Sequence, residues 1–391
     1  MLLGVPKETF AGERRVALVP DTVAGLIAEG WGVVLETGAG LEAGLADEAY
    51  TAQGAEIADG RAEVFERADL VLQVRAAGAN PPAGAADAGL LRRGQVVIGM
   101  AEPLSDAGPA RLVAEAGASL FALELIPRIT RAQGMDVLSS MATLAGYKAA
   151  LLAAQHLPRI FPLMMTAAGT LAPARVLVIG AGVAGLQAIA TARRLGAVVS
   201  GYDVRPAVRE QVESLGARFV ELEIEGEDAE DAGGYAKEQS ADFYRRQQEA
   251  LGQVVAAHDV VITTAAVPGK KAPLLLPAAL VEGMEAGSVV VDLAAERGGN
   301  CELTRPDEIV DAGGVKVVGP TNLPSTVPLH ASQMYGHNIA AFVRHLAPEG
   351  ELRLDTDDEI IRETLVTHGD RIVHPLVRQL AGEPPEAGEN A

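Results

Sequence analysis

The stretch ARVLVIGAGVAGLQAIATARRLGAVVSGYDVRP, residues 174–206, decides the fold class. It begins with a short apolar strand that runs into three glycines, Gly180, Gly182 and Gly185, and a helix-like run follows them directly. The next β-rich run ends at Asp203. A strand, a glycine turn, a helix and a second strand in this order are typical of a doubly wound parallel sheet.

The spacing of these glycines predicts a dinucleotide site. Gly180 permits the tight turn, Gly182 lets the backbone approach a pyrophosphate, and Gly185 lets the helix pack closely on the strand. The helix N-terminus then offers N–H groups and the positive end of its dipole to phosphate. Asp203 is placed to bind the ribose hydroxyls and to repel a 2′-phosphate, which favours NAD over NADP, although the nearby Arg205 weakens that preference. The alternative is a glycine turn that serves packing alone.

Strand-like and helix-like runs alternate through most of the chain, which predicts an α/β fold. We expect two doubly wound, parallel-sheet (Rossmann-like) domains with a ligand-binding cleft between them. Helix-like stretches near 136–156 and 328–347 separate the two series of strands. The predicted domains are a discontinuous N-terminal domain, 1–137 with 328–391, and an NAD(H)-binding domain, 138–327.

Composition excludes several function classes. The formal charge of −20 argues against a nucleic-acid partner, which needs a cationic surface. A single cysteine, Cys301, excludes a disulfide framework and suits a reducing compartment. We find neither a signal peptide nor a membrane-spanning run, and no metal-ligand spacing, so we expect a cytosolic protein without a transmembrane segment or metal site.

The loop RITRAQGMDVLSS, residues 128–140, carries polar side chains just before a helix-like run. From the residues alone, Asp136 is a candidate N-cap of that helix, and a ligand-binding role is the alternative. Two further stretches stand near the predicted site. The residues of the stretch 263–273 are equally compatible with direct contact to a ligand and with a solvated surface loop. The stretch around Gly234 and Tyr235 is either a lid or a disordered segment.

Motifs along nearly the whole chain resemble those of one family. They are GVPKE, ERRVALVP, the glycine turn with its helix, YDVRPAVREQVESLGA, GGYAKE, TTAAVPGKKAP, VVDLAAERGGNCE and RIVHP. Together they resemble the soluble NAD(H)-binding alpha subunit (domain I) of proton-translocating NAD(P) transhydrogenase, with alanine dehydrogenase as the nearest relative. The resemblance implies that polar loop residues hold the nicotinamide ring and ribose: Arg128, Gln133, Asp136 and Ser139. It also implies that other positions line the NAD(H) pocket, beside the three glycines: Val183, Asp203, Val204, Arg205, Gly234, Gln247 and Ala266. Tyr235 matches a mobile loop that closes over the nucleotide.

The alanine dehydrogenase alternative is weakened by three changed positions. That family uses an arginine, a lysine, a histidine and an aspartate on its substrate. Here Arg15 keeps the arginine, whereas Arg75 replaces the lysine and Glu296 replaces the aspartate. The stretch VVIGMAEPLSD contains no histidine. Direct hydride transfer between two nicotinamides needs no general acid or base, because no alcohol or amine proton has to be moved.

The resemblance further implies how the chain works with others. NADP(H) and the proton channel would belong to NADP(H)-binding and membrane-spanning partner subunits. The chain would be a homodimer, peripheral at the cytoplasmic, inner face of the membrane. The alternatives are an amino-acid dehydrogenase of the alanine dehydrogenase type and a non-catalytic NADH-binding regulator.

Overall fold

A computed structural model describes residues 1–222, 241–266 and 271–383. It divides into two compact units, the first formed by Met1–Met141 with Ser325–Ala391 and the second by Ala142–Pro324. The sequence prediction placed these boundaries a few residues away, at 137/138 and 327/328. The cleft expected between the domains stays a prediction.

Most strands follow the apolar runs of the sequence. In chain order they are β1 Leu2–Val5, β2 Gly32–Glu36, β3 Glu56–Ala58, β4 Leu70–Arg75, β5 Val96–Met100, β6 Ser119–Ala122, β7 Met164–Thr166, β8 Gly169–Leu171, β9 Arg175–Ile179, β10 Val198–Tyr202, β11 Arg218–Phe219, β12 Val260–Thr263, β13 Val289–Asp292, β14 Ile309–Ala312, β15 Val315–Val318, β16 Leu365–His368 and β17 Arg371–Ile372.

The helices occupy most of the connections. They are α1 Pro20–Ala28, α2 Asp47–Thr51, α3 Arg61–Arg67, α4 Pro81–Ala88, α5 Gly108–Glu115, α6 Val137–His156, α7 Val183–Arg194, α8 Arg209–Ser214, α9 Ala241–Ala256, α10 Ala278–Glu282, α11 Pro328–Leu346, α12 Glu359–Thr364 and α13 Pro375–Leu380. The helices predicted near 136–156 and 328–347 are therefore confirmed as α6 and α11.

The first unit is built on an eight-stranded sheet within the described residues, in the order β17-β16-β6-β5-β4-β1-β2-β3. In sheet order, every neighbouring pair from β3 through β2, β1, β4 and β5 to β6 is parallel. β16 pairs antiparallel with β6. The C-terminal chain therefore extends the sheet of the N-terminal segment. This pairing explains in physical terms why the unit is discontinuous, since the edge backbone groups of β6 find their partners in β16.

The second unit is built on a sheet ordered β11-β10-β9-β12-β13-β15-β14, parallel except for β14. The chain crosses from β10 on one side of β9 to β12 on the other. Strand order reverses at β9, so the carboxyl end of β9 is a topological switch point of the kind where ligands bind in α/β sheets. The α/β prediction with parallel, Rossmann-like sheets is confirmed.

Candidate functional site

The glycine turn begins where β9 ends, and it has the geometry that its spacing predicted. Gly180 has a φ of +98°, a left-handed conformation that favours glycine. A Cβ on Gly185 would stand 1.8 Å from the carbonyl oxygen of Gly180. Because no side chain fits at that distance, Gly185 is required for α7 to pack against β9.

Gly182 leaves open the space that a phosphate needs. Among the described residues, a Cβ on Gly182 would meet no neighbouring atom within 4 Å. Gly182 is the N-cap of α7, and no described side chain caps the helix there. The first turn, which begins at Val183, therefore directs its N–H groups and the positive end of the helix dipole toward this space. The residues present fit a pyrophosphate.

Asp203 follows β10 and is already bonded to the glycine turn. Its carboxylate accepts a hydrogen bond of 2.7 Å from the backbone N–H of Ala181. It also accepts three hydrogen bonds from Arg205, each 2.9 Å long: from the backbone N–H, from Nε and from Nη2. Asp203 thus couples the turn to Arg205, and the two side chains neutralise each other's charge.

The remaining predicted nucleotide-binding positions differ in exposure. Val204 is partly buried against the core of the second unit, and Ala266 is exposed after β12. Gln247 on α9 is buried, and its Nε2 donates 2.9 Å to the hydroxyl of Tyr202, while its Oε1 has no hydrogen-bond partner in the part of the chain that the structure describes. Gly234 and Tyr235, with the lid prediction attached to them, lie outside the described residues.

Two residues that hold this turn or the chain next to it are absent from the predicted site residues. Thr264 Oγ1 donates 3.0 Å to the carbonyl of Gly180. The fully buried Asn300 accepts 3.0 Å from the N–H of Ala265 and donates 2.8 Å to its carbonyl. Asn300 lies 35 residues from Ala265, and a distance of that kind leaves no local signal in the sequence.

The four predicted nicotinamide-binding residues line one pocket in the first unit. The pocket has a volume of about 310 Å³ and is lined by Pro127, Arg128, Ile129, Ala132, Gln133, Asp136 and Ser139. A short 3₁₀ helix, Thr130–Met135, forms one side of the pocket. It buries Ala132 and Met135, which leaves Gln133 exposed to the pocket.

Asp136 is the N-cap of α6, as its position before the helix predicted. Its Oδ1 accepts 2.9 Å from the backbone N–H of Ser139, and its Oδ2 accepts 2.6 Å from the Ser139 hydroxyl. Capping and pocket lining are therefore properties of the same side chain. The two bonds fix the orientations of Asp136 and Ser139 relative to the helix.

Arg15 and Arg75, at the positions matched to substrate-binding residues of alanine dehydrogenase, both pair with a carboxylate of the protein itself. The buried Arg15 donates to Glu13 through Nε at 2.7 Å and Nη2 at 2.6 Å. Arg75 Nε also donates to Glu13, at 2.9 Å. Burial opposes ionisation of Glu13, but these bonds and the charge of Arg15 lower its pKa to about 2. A substrate carboxylate would have to displace a charged, hydrogen-bonded side chain.

Glu8, beside the ion pairs of Glu13 with Arg15 and Arg75, makes the free energy of unfolding pH-dependent. Burial and the charge of Glu13 raise the pKa of Glu8 from 4.5 to about 8. The raised pKa means that the folded state holds a proton that the unfolded state loses, so the free energy of unfolding falls as pH rises through this window. We expect Glu8→Gln to remove this loss, so that the variant gains thermal stability relative to the parent as the pH rises from 4.5 to about 8. Melting temperatures of both proteins across that range test it, with the exposed Glu48→Gln as control. Parallel curves for Glu8→Gln and the parent contradict the prediction.

Two further features bear on metals and membranes. Within residues 1–222, 241–266 and 271–383, no group of three His, Cys, Asp or Glu side chains could hold a metal ion. In the same ranges, α6 is long and apolar enough to cross a membrane by length and composition, with a mean hydropathy of 1.3. Core helices of soluble proteins share this property, so the observation is weak evidence for a span.

Family models match both halves of the chain. The alanine dehydrogenase/PNT N-terminal domain matches residues 4–145, and the alanine dehydrogenase/PNT C-terminal domain matches residues 149–375. The chain belongs to the alanine dehydrogenase/PNT family. The NAD(P) transhydrogenase subunit alpha of Cereibacter sphaeroides is 46% identical over 96% of this chain and 71% of its own length. An NAD(P) transhydrogenase subunit alpha polypeptide of Rhodospirillum rubrum is 45% identical over 96% of this chain and 99% of its own length.

Among solved structures, this chain is more similar to a transhydrogenase than to an alanine dehydrogenase. The transhydrogenase from Sinorhizobium meliloti has a TM-score of 0.85 at 42% identity, over 95% of this chain and 100% of that chain. An L-alanine dehydrogenase has a TM-score of 0.81 at 28% identity, over 98% of this chain and 99% of that chain. The chain is therefore an oxidoreductase subunit of the NAD(P) transhydrogenase type and is more distant from alanine dehydrogenase.

Proposed function

We propose that this chain binds NADH and passes its hydride directly to NADP⁺ held on a partner subunit. The observation that carries the proposal is the pocket lined by Arg128, Gln133, Asp136 and Ser139. Its carboxylate, Asp136, already accepts two hydrogen bonds from Ser139, so it is committed to orientation rather than to proton transfer. A pocket of this kind suits a reaction that needs positioning without a general base.

The glycine turn is the proposed site for the pyrophosphate of NADH. The open space at Gly182 and the N-terminus of α7 support this assignment. Asp203, Val204, Arg205, Gln247 and Ala266 are proposed to line the remainder of the nucleotide site. Gln247 Oε1 is a buried acceptor that has no partner among the described residues, which supports the inclusion of Gln247.

The pocket in the first unit is the proposed site for the nicotinamide end. Reduced nicotinamide supplies a hydride at its C4 atom. Arg128 and Gln133 would orient the ring and exclude water, while Asp136 and Ser139 would fix the ribose side. Transfer requires the two C4 atoms to approach within about 3 to 3.5 Å, so the positioning side chains control the rate.

The NADP(H) site and the proton channel are proposed to belong to partner subunits, one of them membrane-spanning. This chain would then be peripheral at the cytoplasmic face of the membrane. Mixing the chain with its NADP(H)-binding partner, NADH and an NADP⁺ analogue should produce the reduced analogue. No transfer with intact NADH binding would favour a non-catalytic regulator. Alanine-dependent formation of NADH by the chain alone would instead favour an amino-acid dehydrogenase.

Asp203→Ala tests the nucleotide assignment. The change removes acceptors for the ribose hydroxyls and the carboxylate that pairs with Arg205. We expect NADH affinity to fall by about 10- to 100-fold, the effect of losing charge-assisted hydrogen bonds. We also expect discrimination against NADPH to relax, because the anionic group is gone and Arg205 can meet a 2′-phosphate. Parallel fluorescence titrations with NADH and NADPH measure both effects, and unchanged discrimination would refute the role of Asp203.

The proposed homodimer has a candidate contact in the second unit. The β7–β8 hairpin exposes the apolar side chains of Leu163, Met164, Met165 and Leu171, and Met165 is 74% exposed. An exposed apolar patch of this kind marks an association surface. We expect Met165→Asp to weaken dimerisation by about tenfold or more, as an unpaired charge in an interface does. Sedimentation across a dilution series compares it with Met165→Leu, and equal dimer stability in the two variants argues against this contact.

A further inference from the structure

The 3₁₀ helix that carries Gln133 is held by the C-terminal part of the chain. Asn338 on α11 is 7% exposed, and its Nδ2 donates 2.8 Å to the carbonyl oxygen of Gly134. Gly134 directly follows Gln133, so this bond fixes the backbone beside the pocket side chain. Within the described residues, the buried Oδ1 of Asn338 has no hydrogen-bond partner. Burying an unpaired amide oxygen costs free energy. A side chain that served packing alone would not need to carry that cost.

A second bond holds the same 3₁₀ helix from α12. Arg131 Nη1 donates 2.6 Å to Oδ2 of Asp358, and Nη2 donates 3.3 Å to Oδ1. Asp358 is also the N-cap of α12, where it accepts 2.8 Å from the N–H of Ile360. His345 on α11 lies 3.3 Å from the same carboxylate. The ion pair therefore ties the 3₁₀ helix to two elements that are anchored elsewhere in the unit.

These two contacts flank Gln133. Arg131 lies two positions before it and Gly134 one position after it, while the neighbouring Ala132 is buried at 1% exposure. Such a segment has little freedom to shift along the pocket. An error of about 1 Å in the position of a reacting group can slow a reaction by about a hundredfold.

We infer that Asn338 and Asp358 are positioning residues for hydride transfer that act through Gln133. The inference rests on the proposed function. It assigns to the C-terminal segment, beyond completing the sheet, the task of holding the nicotinamide-binding 3₁₀ helix in register. Neither residue lines the pocket, so neither is expected to bind the nucleotide.

Two variants separate this role from fold stability. Asn338→Leu keeps the volume of the side chain and removes the donor to Gly134. Asp358→Asn keeps an N-cap residue for α12 and removes the charge that pairs with Arg131, with the exposed Asp357→Asn as matched control. In the nucleotide-free protein, amide hydrogen exchange over residues 130–136 should rise in both variants and stay unchanged in the control. Unchanged exchange in both variants overturns the inference without reference to activity.

Single-turnover transfer to the NADP⁺-loaded partner gives the functional readout. We expect each variant to transfer hydride about 10- to 100-fold more slowly, with NADH affinity close to that of the parent. Because Asn338 is inferred to act through Gln133, Asn338→Leu should add little to the loss caused by Gln133→Asn in the double variant. Additive losses, or parental rates in both single variants, overturn the inference while the proposed function stands. A parent that transfers no hydride overturns both. If Asn338→Leu does not fold, Asp358→Asn and its double variant with Gln133→Asn decide.

Discussion

Gln133→Asn is expected to slow single-turnover hydride transfer by about a hundredfold while NADH affinity stays close to that of the parent. The substitution keeps the amide and withdraws it by one methylene from the pocket that Gln133 lines. Binding energy contributed by the pyrophosphate and ribose is untouched, so the loss should fall on the rate.

Rapid mixing with the NADP⁺-loaded partner measures the transfer rate, and fluorescence titration measures the affinity. Thr130→Ser is the matched control, because Thr130 is exposed on the same 3₁₀ helix and does not line the pocket. If affinity falls as far as the rate in Gln133→Asn, the residue contributes general binding, and its positioning role is wrong.

Gly185→Ala is expected to abolish NADH binding and to destabilise the second unit. The new Cβ would stand 1.8 Å from the carbonyl oxygen of Gly180, so α7 must move away from β9. Overpacking of this kind costs about 1–3 kcal/mol, and the displaced turn would no longer match a pyrophosphate. Thermal unfolding and NADH titration measure the two effects. A variant that binds NADH as the parent does would contradict the assignment of this turn.

Gly182→Ala is the matched comparison. Its Cβ would meet no neighbouring atom of the described residues within 4 Å, and Gly182 has a φ of −74°, which alanine adopts readily. We therefore expect a melting temperature close to that of the parent, together with weakened NADH binding, because the methyl group occupies the space offered to phosphate. The pair separates packing from phosphate access, which are the two roles that the sequence left as alternatives.

Local sequence patterns predicted those parts of the molecule that depend on local physics. Apolar runs bounded by turns indicated the central strands, because parallel strands buried on both faces need apolar side chains throughout. The glycine turn was predictable because its left-handed backbone at Gly180 and the close approach at Gly185 each require glycine. Asp136 was predictable as an N-cap for the same kind of local reason.

What local patterns missed depends on contacts between distant parts of the chain. Asn338 and Gly134 are 204 residues apart, and Arg131 and Asp358 are 227 residues apart, so no spacing rule relates them. The strands β14, β16 and β17 lie at or next to a sheet edge, are short and carry polar residues, which leaves no apolar run to indicate them. The prediction of the pocket residues came from the resemblance to a family, because the polar residues alone did not distinguish ligand binding from helix capping.

Isotope tracing tests direct hydride transfer most directly. The chain, mixed with its NADP(H)-binding partner, is given NADH deuterated at the transferred C4 position together with NADP⁺ in ordinary water. We expect the deuterium to appear at C4 of the NADPH formed, with none released to solvent, and Gln133→Asn to slow its appearance. Deuterium in the water, or NADPH formed without label, would contradict the account.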